Sequence, residues 1–238
     1  MNNNFDSYSI PRHIGIIMDG NRRFAKKKLM PAEYGHMSGA RNFLDIAEHC
    51  SRIGLQAATF YAFSTENFNR SKEEKNHLQH VVESMFGAFQ KLVDNLKIKV
   101  VFLGDKSAFS QNWIQKMIAS EQNTSENSGM ILNIAVNYGG RPEILRAAKL
   151  FAYEIIAGRL KPEDLDERMF DSLLYTASSP QLDMVIRTGG EVRLSNFLLW
   201  QSAYAELFFE EKYWPEYKCE DLDRSIAEFQ SRVRNFGG

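Results

Sequence analysis

Short β-rich apolar runs alternate with segments of helical periodicity along nearly the whole chain, and this alternation restricts the possible folds more than any other feature. Runs at residues 13–18, 55–63, 98–103, 130–136 and 182–186 read as strands, with 207–209 as a sixth candidate. Phe43, Leu44, Ala47 and Cys50 recur at helical spacing within 35–53, and Gly54 follows as a C-cap. Ser71 and Glu74 make a capping box for a helix whose apolar stripe runs from Leu78 to Leu96. Further helices are predicted at 113–120, at 142–157 with Pro142 as first residue, near Pro162, at 197–204 and at 221–236. Strands separated by helices of this length pair in parallel. The prediction is therefore an α/β fold: a single domain with a central, mainly parallel six-stranded sheet covered by helices on both faces. Residues 1–12 read as a polar arm and 13–238 as the domain.

Three of the strands stop at polar clusters: Asp19-Gly20-Asn21-Arg22-Arg23, Ser64-Thr65-Glu66-Asn67-Phe68-Asn69-Arg70, and Arg187-Thr188-Gly189-Gly190-Glu191-Val192-Arg193-Leu194-Ser195-Asn196. A parallel sheet gathers all strand ends of one sense at one edge, where ligands bind in such folds. Carboxylates, arginines, glycines and amides there suit a divalent cation holding phosphate esters, and suit a Ser-His-Asp or Cys-His nucleophile poorly. Asp19 reads as a magnesium ligand or, alternatively, as a turn aspartate capping Asn21 or Arg22. A phosphatase nucleophile would need a second aspartate two positions on, where Asn21 stands. Arg187 and Arg193, flanking Gly189-Gly190, could clamp a diphosphate with help from the Ser195 hydroxyl. Gly35-His36-Met37-Ser38-Gly39 reads as a helix opening whose positive end would receive an anion near His36. Glu206 stands in an apolar setting that either a salt bridge or a cation shared with Asp19 would satisfy.

A net charge of -1 over 238 residues argues against a dedicated nucleic-acid binder. Positive charge is local: Arg22, Arg23, Lys26, Lys27 and Lys28 crowd beside the first cluster, where they form either a solvated helix face or an attractor for a compact polyanion. Cys50 and Cys219 match no metal or redox spacing and read as free thiols of a reducing compartment. No signal peptide and no apolar run of spanning length is visible, so a soluble, cytoplasmic protein is expected, with contact at a membrane surface left open.

The segments 13–25, Gly35-His36 with Gly39, 61–70, 132–141, 185–201, and Ala203-Tyr204-Ala205-Glu206 followed by Trp214-Pro215 together closely resemble the cis-prenyltransferase family, in its bacterial undecaprenyl diphosphate synthase branch. The similarity covers nearly all of 13–238. It implies successive condensation of isopentenyl diphosphate onto farnesyl diphosphate, with Mg²⁺ as cofactor, in a homodimer that touches membranes through its lipid product. It further implies catalytic roles for Asp19 and Asn67 and metal binding by Asp19 and Glu206. The implied substrate-binding set is Gly20, Asn21, Arg22, Arg23, Phe24, His36, Ser64, Thr65, Glu66, Phe68 and Arg70 on one side, with Arg187, Arg193 and Ser195 for the incoming isopentenyl unit. By the same resemblance the helix around Leu78 to Leu96, with Ala62, Met130 and Val136, would wall an apolar product tunnel.

The chain departs from that pattern at Leu29, where glycine is usual, at Ala32, where an arginine is common, and at Phe68, where tryptophan is usual. Asn235-Phe236-Gly237 replaces an Arg-x-Gly, for which Arg234 is the candidate substitute. A noncatalytic partner subunit of the same family is the alternative from another class. Retention of Asp19, Asn21, Arg23, Arg70, Arg187, Arg193 and Glu206 speaks against it.

Overall fold

The computed structural model describes residues 10–65 and 72–232; Glu66, Asn67, Phe68, Arg70 and Ser71, and Arg234 to Gly237, lie outside that range. Six strands, β1 (His13–Ile17), β2 (Ala57–Tyr61), β3 (Lys99–Leu103), β4 (Ile131–Ala135), β5 (Met184–Arg187) and β6 (Glu206–Phe209), form one sheet in the order β3-β4-β2-β1-β5-β6. Every pairing is parallel. Such a sheet needs helical crossovers. The crossovers contain α1 (Asn21–Lys27), α2 (Ala32–Arg52), α3 (Lys72–Leu96), α4 (Gln111–Asn123), α5 (Gly140–Ile156) and α6 (Glu167–Leu173), β5 joins β6 through a 3-10 turn alone, and α7 (Cys219–Ser231) follows β6.

The side-chain period of two divides the apolar residues between the faces. On one face Ile14, Ile16, Ala58, Phe60, Leu132, Met184 and Ile186 pack with Ile46 and Ala47 of α2, Leu92 and Val93 of α3 and Leu222 and Ile226 of α7. On the other, Ile17, Tyr61, Leu103, Ala135 and Val185 pack with Tyr138, Phe197 and Leu198. The second face also buries polar groups: His13 Nε2 lies 2.7 Å from Thr59 Oγ1, which accepts from Asn133 Nδ2 at 2.9 Å. Both thiols, Cys50 and Cys219, are free. Among the described residues no helix is long and apolar enough to cross a membrane.

The basic stretch after Asp19 is a helix, α1, with Arg22, Lys26 and Lys27 exposed on it, as the solvated-face reading of its charges has it. Three expectations need correction. The next helix begins at Ala32, so Gly35 and His36 lie one turn inside it and their N–H groups are not the free ones at its start. Gly35 and Gly39 instead let α1 and α2 touch: a Cβ at Gly39 would sit 2.2 Å from Asn21 Oδ1, and one at Gly35 would sit 2.0 Å from the Asn21 carbonyl oxygen. Pro142 is the third residue of α5, still within the turn whose N–H groups have no helical partner. Finally, 197–204 is no helix except for a 3-10 turn at Gln201–Tyr204, because Phe197 and Leu198 plug the second core face from a loop.

The α1–α2 connection turns at Leu29, which has φ +55° and is 94% exposed. That left-handed backbone gives a physical reason for glycine at this position.

Candidate active site

β1 and β5 are neighbours near the middle of the sheet, with Ile17 opposite Arg187, so their carboxyl ends open at the same edge. Asp19 lies two residues beyond β1. Its Oδ2 accepts from Arg187 Nη2 at 2.9 Å, and its Oδ1 lies 3.1 Å from Arg23 Nη2 on the first turn of α1. The Asp19 oxygens thus face two arginines, and it is Gly20 that stands at the N-cap of α1. Burial pushes the Asp19 carboxyl up, but the Arg187 hydrogen bond and the charges of Arg23 and Arg187 outweigh it and hold the group below its ordinary value. Thr188 Oγ1 donates to the Asp19 carbonyl at 2.8 Å, and the Trp214 N–H donates to the same oxygen at 2.9 Å. The backbone at Asp19 is thus fixed from two directions.

Arg187 is almost fully buried, and besides Asp19 it reaches the Arg193 carbonyl at 2.6 Å and Ser195 Oγ at 2.7 Å. Its Nε has no partner, which leaves a buried donor at the strand end. Ser195, Asn196 and Leu198 all have positive φ, so the loop that brings Ser195 to Arg187 is held in a conformation L-residues adopt reluctantly. Asn196 compensates at the start of α5: its carbonyl accepts from the Gly140 N–H at 2.6 Å and its Oδ1 from the Arg141 N–H at 2.9 Å.

Glu191 bridges the half-buried Arg23 and the exposed Arg193, accepting from Arg23 Nη1 at 3.2 Å and from Arg193 Nη1 at 2.5 Å. Gly189 makes room for this: a Cβ there would lie 2.8 Å from Arg23 Nη2. The Arg23 guanidinium also stands 5.5 Å above the ring of Tyr213. Glu191, Thr188, Asn196 and Tyr213 were not among the sequence-predicted site residues. Their only signal was proximity to Arg187, or for Tyr213 to the Trp214-Pro215 pair.

The remaining expected residues divide by location. Gly20 and Asn21 link β1 to α1, with the ring and backbone of Tyr213 against Gly20 and with Asn21 Oδ1 buried and unpartnered. Phe24 is buried and stacks on Tyr34 at 5.9 Å, so it joins α1 to α2. Arg22 is exposed on α1, and His36 is half-buried on α2. Ser64 and Thr65 follow β2 and pair with Tyr138, through a parallel bridge and a 3.1 Å N–H bond respectively.

Glu206 is not with Asp19. It opens β6 opposite Met184, which is level with Ile14, and Ile17 alone lies three residues, roughly 10 Å, further along the strands. Its carboxylate accepts from Arg232 Nη1 at 2.7 Å, so the apolar setting is satisfied by a salt bridge. Within one chain the two carboxylates cannot share a cation. Among the described residues no three His, Cys, Asp or Glu side chains form a metal cage. Asp19 nevertheless fits Mg²⁺, because that ion is commonly held by one or two carboxylates with water and substrate phosphate completing the shell. Both Asp19 oxygens are engaged by Arg187 and Arg23, so the ion would enter in exchange for one of these contacts, while Asn21 Oδ1 lies buried against Gly39 of α2.

The prenyltransferase family model described as undecaprenyl diphosphate synthase matches residues 17–237. A tritrans,polycis-undecaprenyl-diphosphate synthase of Pyrococcus abyssi, geranylgeranyl-diphosphate specific, is 44% identical over 96% of this chain and 87% of its own length. A ditrans,polycis-undecaprenyl-diphosphate synthase of Pseudomonas putida, (2E,6E)-farnesyl-diphosphate specific, is 43% identical over 96% of this chain and 91% of its own length. Lavandulyl diphosphate synthase from Lavandula x intermedia, solved with dimethylallyl diphosphate, superposes with a TM-score of 0.93 at 35% identity, covering 98% of this chain and all of that one. With a matching family model over nearly its whole length and relatives at this identity, the chain belongs to the undecaprenyl diphosphate synthase family of cis-prenyltransferases.

Proposed function

We propose that the protein is a Mg²⁺-dependent cis-prenyltransferase that adds isopentenyl diphosphate repeatedly to farnesyl diphosphate, giving a long polyprenyl diphosphate of undecaprenyl type that serves as lipid-carrier precursor for cell-wall glycan. The observation that carries this reading is the convergence of Asp19, Arg23, Arg187 and Ser195 at one sheet edge, where two substrates could be held side by side. Glu191, bridging Arg23 and Arg193, occupies the place of an anion between two guanidinium groups. A diphosphate displacing it would engage both arginines bidentately. Arg187, fixed by Ser195 and the Arg193 carbonyl, presents its unpartnered Nε and keeps the Asp19 carboxylate ionised. Mg²⁺ held by Asp19 and substrate oxygens would stabilise charge growing on the departing diphosphate. Ser64 and Thr65, which follow β2, would meet the same substrates. The growing chain would run along the first core face, between β4, which Met130 and Val136 flank, and α2 and α3. The active form would be a homodimer.

The test is incubation with labelled isopentenyl diphosphate and, separately, dimethylallyl, farnesyl and geranylgeranyl diphosphates, with Mg²⁺ or with EDTA, followed by chain-length analysis. Long products from farnesyl diphosphate that disappear with EDTA are expected. Absence of elongation from all three primers would overturn the reading in favour of a noncatalytic subunit.

A further inference from the structure

The outer part of the corner between α1 and α2, from Lys26 to Tyr34, combines features that the sheet-edge chemistry does not use. Leu29 is 94% exposed while its backbone is left-handed, so the position is unfavourable both for solvation of the side chain and for the φ angle. Among the described residues none covers the Leu29 side chain. Met30 and Tyr34 beside it are also exposed, at 45% and 41%. Around this apolar tip residues 22–34 carry five cations, Arg22, Arg23, Lys26, Lys27 and Lys28, against the single anion Glu33, in a protein whose net charge is -1. Arg23 is engaged with Asp19 and Glu191 and Lys27 with Glu216, so the exposed Lys26 and Lys28 supply the charge closest to the tip. Lys26, Leu29 and Met30 line a cleft of about 460 Å³ together with Arg22 and Arg23.

We infer that this corner docks the protein on an anionic bilayer surface, with Leu29 and Met30 inserted at the headgroup boundary and the lysines on acidic headgroups. An apolar tip inside a cationic ring matches that partner on both counts. Two or three exposed apolar side chains are too little area for a stable protein partner, whereas an interfacial anchor needs no more when electrostatics assist. The position is also functional on the proposed reading, on which the inference rests for its purpose alone: α1 carries Arg23 to Asp19, so a lipid diphosphate leaving that edge would emerge beside the bilayer.

The experiment is flotation of the intact protein, without substrates, on vesicles of phosphatidylcholine alone or with phosphatidylglycerol, at low and high salt, for wild type, Leu29→Gly and Lys28→Glu. Binding that requires phosphatidylglycerol, weakens with salt and falls about tenfold in Leu29→Gly is expected, although Leu29→Gly should unfold at a higher temperature than wild type. Lys28→Glu should weaken binding severalfold. Equal binding by Leu29→Gly and wild type, or no binding to anionic vesicles at low salt, would overturn the inference. So would a change in sedimentation of Leu29→Gly without vesicles, which would make the corner a contact between copies. Because no substrate is present, vesicle binding without turnover would sink the enzymatic reading alone, and turnover without binding this one alone.

Discussion

Asp19 Oδ2 and Arg187 Nη2 lie 2.9 Å apart, although 167 residues separate them in the chain, because parallel pairing of β1 with β5 brings both strand ends to one edge. The pair is asymmetric: the arginine side chain is 5% exposed and the carboxylate 29%. Removing the carboxylate therefore leaves the more deeply buried partner without its charge. Asp19→Ala should cost about 1–2 kcal/mol, below the range for a fully buried pair because Asp19 is partly solvated. Turnover should fall at least about a hundredfold, since a cation ligand and the orientation of Arg187 disappear together. Denaturant titration and steady-state rates check the two parts separately, and near-normal turnover in a folded Asp19→Ala protein would refute the role given to this residue.

Stability should depend on pH through His13. Burial lowers its pKa from 6.5 to about 4, against the opposing hydrogen bond to the Pro180 carbonyl. The folded state thus binds this proton less readily than the unfolded chain, so stability is complete above about pH 6.5 and declines as pH falls toward 4. Between pH 7 and pH 5 the loss from this residue is about 2 kcal/mol. Urea unfolding at the two pH values should show it, and His13→Gln should flatten the slope while lowering stability at pH 7, since Thr59 and Asn133 share the buried network.

The first core of the fold was legible because apolar periodicity is local. Five of the strands and α2, α3, α4, α5 and α7 follow from spacing and end signals alone. The limits of α1 were not, because Gly20-Asn21 reads as a turn and seven residues give too little periodicity to delimit a helix, so that only the run of charges offered a helix face as one of two readings. Phe197 and Leu198 misled in the opposite sense: an apolar run suggests a helix, while burial under β1 and β2 stabilises it as an irregular plug. The Glu206 partner was illegible because Arg232 reaches it only through the placement of α7 beside the edge strand. Glu191 and Tyr213 were missed for the same reason, since their partner Arg23 belongs to another element.

Gly39→Ala tests the contact that sets α1, and with it Arg23, over the site. Alanine favours helix by about 1 kcal/mol, but its Cβ would meet the Asn21 amide at 2.2 Å, and the buried Trp214 hydrogen-bonded to the Gly39 carbonyl limits movement of α2. The clash should win, with a net destabilisation of about 1–3 kcal/mol. Thermal unfolding of the variant measures it, and an unchanged or raised melting temperature would show that α1 can shift freely.

Asn196 is expected to act as a positioning residue for the Arg187–Ser195 pair. Its carbonyl and Oδ1 take the first two N–H groups of α5, and its φ of +65° is one that asparagine tolerates better than most residues. Asn196→Ala removes the side-chain cap and disfavours the backbone, so Ser195 should drift from Arg187. The predicted result is a KM for isopentenyl diphosphate raised about tenfold with a smaller change in kcat, together with about 1 kcal/mol lost in stability. Asn196→Asp keeps both the acceptor and the tolerance for positive φ and should restore most of the KM. A purely structural residue would instead lower the melting temperature of Asn196→Ala and leave KM where it was.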